Sequence, residues 1–217
     1  MFVIMSNSPF PSKPFIVGLA GPSGSGKSTI AKRVASHLNG QVISMESYST
    51  ALNHLPLAER AKLNYDEPEA IDIKLLDEHV SQYASGNAID IPVYDFAEHL
   101  RRSDYLHLAA KPLLIVEGIL ALHFSQLRQR FDLAIYLDAP NDVCLRRRQV
   151  RDITERQRPL ELIRWQYENT VLPAARRYLL PSKVYANVVL DSGPDLAKVE
   201  SALLQAIEGK QALAATR

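Results

Sequence analysis

Phe15-Ile16-Val17-Gly18-Leu19-Ala20-Gly21-Pro22-Ser23-Gly24-Ser25-Gly26-Lys27-Ser28-Thr29 is an apolar run that breaks into glycines and ends in Gly-Lys-Ser-Thr. The part up to Ala20 reads as a buried parallel strand. From Gly21 the pattern is G-x-x-x-x-G-K-S, the phosphate-binding P-loop. Ile30, Val34 and Leu38 then recur at helical spacing. Strand, glycine loop and helix start are the context this motif requires. Gly21, Gly24 and Gly26 let backbone N–H groups, with those of Ser23 and Ser25, turn inward on an anion. The helix N-terminus favours the same anion. Lys27 can reach the β- and γ-phosphates, and the Ser28 hydroxyl, with Thr29 beside it, opens the helix as a ligand for Mg²⁺. The stretch predicts a site for a nucleoside triphosphate with magnesium.

At 217 residues the chain suits one domain with one sizeable core. A net charge of +1 argues against a nucleic-acid polymer as partner, and any basic cluster must act locally. Cys144 is the only cysteine, so no internal disulfide can form. Met1–Met5 lacks a basic flank and soon meets Pro9, Pro11 and Pro14, unlike a signal peptide. No apolar run has the length of a membrane span. A soluble cytoplasmic protein is expected.

Residues 1–13 read as a flexible extension and 14–217 as a single P-loop domain. Gly40 is expected to end the first helix, and Val42-Ile43 to form a second strand leading to Glu46. Leu75, Leu76, Val80 and Tyr83 mark an amphipathic helix that stops at Gly86. Residues 88–110 alternate as a β-hairpin, with a polar Asp95–Ser103 tip and a second strand from Tyr105. Leu113–Val116 and Leu133–Leu137 are further core strands. Helices are predicted over 141–157 and 160–172, the latter broken at Pro173. A strand over Val184–Leu190 and a helix from Asp195, its cap, to Ile207 follow, with a frayed tail from Gly209. This alternation predicts an α/β fold, a doubly wound and mainly parallel sheet.

Glu117 follows an apolar strand, where P-loop proteins often keep a carboxylate for magnesium. Glu46 and Asp66 are acids on loops at the same edge, and by position either could take the proton of an acceptor hydroxyl. Arg146, Arg147, Arg148, Arg151, Arg156 and Arg158 form a dense run. Such a run can be a solvated helix face. Its excess over Asp152 and Glu155 favours a mobile lid, residues 146–160, that closes over ATP. Tyr94, Phe96 and His99 at the hairpin tip can stack on and hydrogen-bond a base. Cys144 reads as a buried thiol, and the other histidines as structural.

Several stretches together resemble the bacterial uridine–cytidine kinases over residues 14–208. They are Gly21–Thr29, Leu55–Arg60, Asn64-Tyr65-Asp66 with Pro68, Ile91–Phe96 with His99, Val116–Leu120, Arg151-Asp152 with Glu155-Arg156, and Pro181–Lys183 with Tyr185-Ala186. The resemblance implies phosphorylation of the 5′-hydroxyl of uridine and cytidine by ATP or GTP with Mg²⁺, in a homotetramer. It implies that Asp66 and Arg148 hold the ribose, that Tyr94, Phe96 and His99 enclose the base, and that Gln166 is another nucleoside contact. Arg151, Arg156 and Arg158 would form the lid. Glu46 stands where the family has its aspartate base, Ser49 where it has an aromatic, and Gln157 where the lid has glycine; the residues near Leu190–Gly193 also depart. A kinase of another small alcohol such as pantothenate, and a weakened nucleotide binder, are the alternatives. The GTPase patterns Asn-Lys-x-Asp and Asp-x-x-Gly do not occur.

Overall fold

The computed structural model describes residues 10–11, 13–52, 54–60, 63–191 and 196–215. Every residue of β1 (Phe15–Ala20) is buried, as a strand covered on both faces must be. Next come α1 (Lys27–His37), β2 (Gly40–Ser44), a 3-10 turn at Met45–Tyr48 and the short α2 (Leu57–Arg60). Then follow α3 (Ile73–Ala84), β3 (Ile89–Asp95), β4 (Leu100–Leu108), β5 (Leu113–Glu117), α4 (Ser125–Arg128), β6 (Leu133–Asp138) and α5 (Asn141–Thr154). A long helical run holds α6 (Leu160–Gln166), α7 (Leu172–Ala174) and α8 (Leu180–Ser182). β7 (Val188–Asp191) and α9 (Leu196–Ala215) complete the order.

The main sheet runs β2-β5-β1-β6-β7, and every neighbouring pair is parallel. Successive β1 side chains face opposite ways. Ile16 packs with Leu76, Tyr83 and Tyr136 on one face, while Phe15, Val17 and Leu19 pack with Val34, Leu203 and Ile207 on the other. Helices therefore cover both faces, as the alternating pattern predicts. Glu117 is in register with both Leu19 and Ser44. The carboxyl ends of β1, β2 and β5 are level, and this edge is where open α/β sheets bind ligands. β3 and β4 form a separate antiparallel two-stranded sheet with an irregularity between Pro92 and Tyr94.

Several boundaries differ from the sequence expectation. Gly40 opens β2 instead of ending α1; Asn39, at φ 51°, makes the left-handed turn. Asn tolerates that conformation through its short polar side chain. β4 begins at Leu100, not Tyr105, so the hairpin tip is short. α5 ends at Thr154. Pro173 does not break its helix. Two π-helical turns, Tyr167–Val171 and Ala175–Leu179, precede Pro173 and Pro181. Leu172 N–H bonds to Tyr167 O, and Leu180 N–H to Ala175 O. The widened turns accommodate rings that lack an N–H and would clash in a regular helix. β7 starts only at Val188, because Lys183–Tyr185 is a 3-10 turn. α9 continues through Gly209 to Ala215. Asp195, the expected cap, lies outside the described residues, as do Ser192-Gly193 and most of the N-terminal extension.

Candidate active site

The donor side is built at the end of β1. Gly24 holds φ 89°, and a Cβ there would come within 2.3 Å of the Cys144 carbonyl oxygen on α5. Only glycine lets the loop lie this close to the helix. Lys27, the first residue of α1, is buried, and its Nζ donates to Pro22 O at 3.0 Å. Burial lowers its pKa, while Glu117 and Glu46 oppose that shift. Ser28 Oγ donates to Glu117 Oε1 at 3.0 Å. Burial raises the Glu117 carboxyl above the ordinary range, against the pull of Lys27. Arg147 Nη1 donates to Ser25 O at 3.4 Å. A hydroxyl and a carboxylate in contact at the loop form an all-oxygen donor set suited to Mg²⁺, which usually takes few protein ligands and completes its shell with water and phosphate. The Cys144 thiol is buried and burial raises its pKa, which fits a packing role.

The candidate acceptor side is a second cleft of about 820 Å³, counting the open solvent at its mouth. The structure brings Asp66, Tyr94, Phe96, His99, Arg148 and Gln166 together on its wall, from four separate segments. The Asp66 backbone N–H is held by Asn64 Oδ1 at 3.1 Å. Burial raises the Asp66 carboxyl, opposed first by Arg148. Tyr94 and Phe96 meet edge to face at 5.1 Å, and burial raises the Tyr94 phenol. His99 stacks on Tyr65 at 5.1 Å and adopts φ 51° at the hairpin tip. Arg158 Nη2 donates to His99 Nε2 at 3.2 Å. A guanidinium has no acceptor, so this ring nitrogen must be unprotonated. Burial, then Arg158 and Arg156, pushes the His99 pKa down to about 4.

The two clefts meet. Ser23, Glu46, Gly118, Ile119 and Arg151 line both. Glu46 stands in the 3-10 turn after β2, which buried Met45 and Tyr48 anchor. Ser49 Oγ donates to Glu46 O at 2.8 Å, and Arg101 Nη2 to Tyr48 O at 2.7 Å. The Glu46 carboxylate is about half exposed and faces Arg156 at 3.5 Å.

The arginine run divides. Arg146 pairs with Asp142 in solvent, as the solvated-face reading expects. Arg147 and Arg151 line the donor cleft. Arg156 and Arg158 line the acceptor cleft, with Arg156 lying 4.2 Å over the Phe96 ring. In this arrangement those two arginines are not over the P-loop, where a closed lid would put them. Sequence reasoning missed Tyr65, Arg60 and the central role of Asp152. Arg60 is buried and donates to Leu55 O and Glu98 O, tying the 55–60 segment to the hairpin tip. The i,i+4 spacing of Arg148, Asp152 and Arg156 was the available signal for Asp152.

Residues 16–198 match the model of the Phosphoribulokinase / Uridine kinase family. The chain belongs to this family. It is 41% identical over 185 residues to a uridine kinase of Tolumonas auensis, covering 82% of this chain and 86% of that one. A uridine kinase of Aeromonas salmonicida is 42% identical with the same coverage. The fold is shared with a possible uridine kinase from Bacillus stearothermophilus, at TM-score 0.57, 20% identity, and 83% and 90% coverage. A phosphoribulokinase from Rhodobacter spheroides superposes at TM-score 0.58 with 14% identity, over 83% of this chain and 71% of its own. Among the described residues, no helix of this family member is long and apolar enough to cross a membrane.

The depressed His99 pKa has a measurable sign. Between pH 6.5, the ordinary histidine value, and about 4, the unfolded chain takes up a proton that the folded ring does not. Stability is therefore lost as pH falls through that window. His99→Gln is expected to flatten this part of the Tm-against-pH curve. An unchanged slope in calorimetry would refute the assignment.

Proposed function

We propose that the protein phosphorylates the 5′-hydroxyl of uridine and cytidine with ATP or GTP, giving UMP and CMP for pyrimidine salvage in the cytoplasm. The observation that carries this is the acceptor cleft: aromatic rings, a neutral histidine, an acid and an arginine meet the P-loop cleft at Glu46. That combination suits a base-bearing ribose better than pantothenate, which has no ring to stack. Identity of about 40% to uridine kinases across most of the chain supports the same reading.

In this reading Asp66 and Arg148 hold the ribose hydroxyls, and Tyr94, Phe96 and His99 enclose the base. His99 Nε2 exchanges the Arg158 donor for one on the base edge. Lys27 leaves the Pro22 carbonyl and stabilises the β- and γ-phosphates. Glu46 accepts the proton of the attacking hydroxyl. Arg151 stays at the donor phosphates, while Arg156 and Arg158 leave the acceptor groups for the transferring phosphoryl. Ser28 and Glu117, with Glu46 nearby, would hold magnesium, which supplies charge neutralisation on the phosphates when bound. A homotetramer, as in the resemblance, is part of the proposal.

A coupled ADP-release assay with uridine, cytidine, adenosine, pantothenate and no acceptor tests it. Uridine and cytidine are expected to stimulate ADP release. Background rates with both nucleosides would refute the proposal; stimulation by pantothenate alone would favour the other alcohol kinase.

A further inference from the structure

Asp152 is fully buried. Four guanidiniums surround its carboxylate: Arg151 Nη2 at 2.7 Å, Arg148 Nε at 3.5 Å, Arg158 Nη1 at 3.6 Å and Arg156 Nε at 3.7 Å. They come from three places in the site: Arg151 lines both clefts, Arg148 the acceptor cleft, and Arg156 and Arg158 stand beyond the end of α5. With α5 finished at Thr154, helical geometry no longer places the last two. Gln157 at φ 53° turns the chain back, and the Arg158 N–H bonds to Asp152 O at 3.0 Å. The lid segment is thus wrapped around one residue, through both its backbone and its side chain.

We infer that Asp152 is a positioning residue that gathers the acceptor-side, donor-side and lid arginines into one set poised for the transferring phosphate.

A purely structural ion cluster would close its hydrogen bonds. Here Asp152 Oδ2 and Arg148 Nε have none. Only Arg151 grips the carboxylate tightly, while the other three stand at loose ion-pair range. Burial works against the charged form of Asp152, but Arg151, Arg148 and Arg156 together hold its carboxyl below the ordinary range. Among the described residues, the other carboxylate ion-paired to these four arginines is Glu46, facing Arg156, with the Asp66 carboxyl in the field of Arg148. Their positive charge exceeds what Asp152 neutralises, and a phosphate is the anion that completes it. The loose three can turn toward a phosphate without abandoning their anchor. A removed anchor would leave like charges to spread apart, and a misplacement of about 1 Å at a reacting centre costs about a hundredfold in rate.

This inference rests on phosphoryl transfer at the site as proposed above. The test is a double-mutant cycle with hydrogen exchange on the full chain. Asp152→Asn is expected to lower kcat with uridine and saturating ATP by about 30-fold or more in the wild-type background. In an Arg158→Ala background the same change should cost at least about fivefold less, because part of what Asp152 holds is already gone. Equal losses in both backgrounds would overturn the inference. Amide exchange over residues 154–159 of ligand-free Asp152→Asn should rise about tenfold or more, with the sheet strands unchanged. Unchanged exchange there would also overturn it. Should Asp152→Asn fail to fold, Asp152→Glu keeps the charge and shifts it by one methylene. A folded Asp152→Glu with wild-type kcat and wild-type lid exchange would be equally fatal. If the wild type itself shows no uridine-dependent ADP release, the kinase reading fails on its own, and lid exchange alone decides the role of Asp152.

Discussion

Glu46→Gln is expected to lower kcat with uridine to below about a tenth of the wild-type value, and toward the hundredfold loss usual for a general base. The side chain sits where the donor and acceptor clefts meet, on a short turn whose flanking residues Met45 and Tyr48 are buried. Its reach exceeds that of the aspartate the family resemblance implies by one methylene. Ser49 is small and buried and donates to the Glu46 carbonyl, and the Glu46 carboxylate is about half exposed beside Arg156. An aromatic ring there would fill the space beside the turn. Glutamine keeps the shape and the hydrogen-bonding oxygen but cannot take a proton. Nucleotide binding should stay within about threefold, since uniform binding is untouched by loss of a transition-state contact. Glu46→Asp discriminates further. If the turn has adjusted to the longer acid, the aspartate variant is slower than wild type, though faster than the amide. Retention of more than about a tenth of kcat by Glu46→Gln would leave Glu46 a bystander, below the usual contribution of a base.

Lys27→Ala is the second large effect. The ammonium is buried and lies near Glu117 and Glu46, whose charges support its protonated form. In the ligand-free arrangement it donates to Pro22 O, a neutral acceptor that a phosphate oxygen readily replaces. Losing one preorganised electrostatic contact to the transferring group costs about a hundredfold or more in kcat. The variant also leaves buried Glu117 without its cation, so a rise in the Glu117 carboxyl pKa should accompany the rate loss. A change in kcat smaller than about threefold, measured at saturating ATP and uridine, would place the donor phosphates elsewhere.

What could be read from the chain and what could not follow a physical line. The P-loop, β1 and the hairpin are local: glycine spacing, an apolar run and strict alternation each act over a few residues. Asp66, Tyr94 and His99 could be nominated one by one, and Gln166 through the resemblance, but their convergence on one cleft from a loop, the hairpin and α6 is a property of the tertiary structure. The state of the arginines was not legible. Whether Arg156 lies over a phosphate or over Phe96 depends on a turn at Gln157 and on Asp152, and neither announces itself in a charge count. Pro173 misled for a related reason. A proline ends a regular helix, but a π-helical turn before it removes the clash, and no composition rule distinguishes the two outcomes.

The hairpin's separateness from the main sheet divides labour along its length. Its base is committed: Ile89, Ile91 and Leu108 are part of the core that supports β1 and β5. Its tip, Phe96 to His99, makes no ladder with the catalytic sheet and is moored by Arg60 at one end and Arg101 at the other. In the proposed kinase reading, contact to the base and cradling of the donor phosphates therefore fall on different pieces of backbone, the hairpin tip and the P-loop. Rewriting the tip while keeping both moorings is the natural route to retargeting this scaffold toward other acceptors, because the P-loop edge would not have to be rebuilt each time.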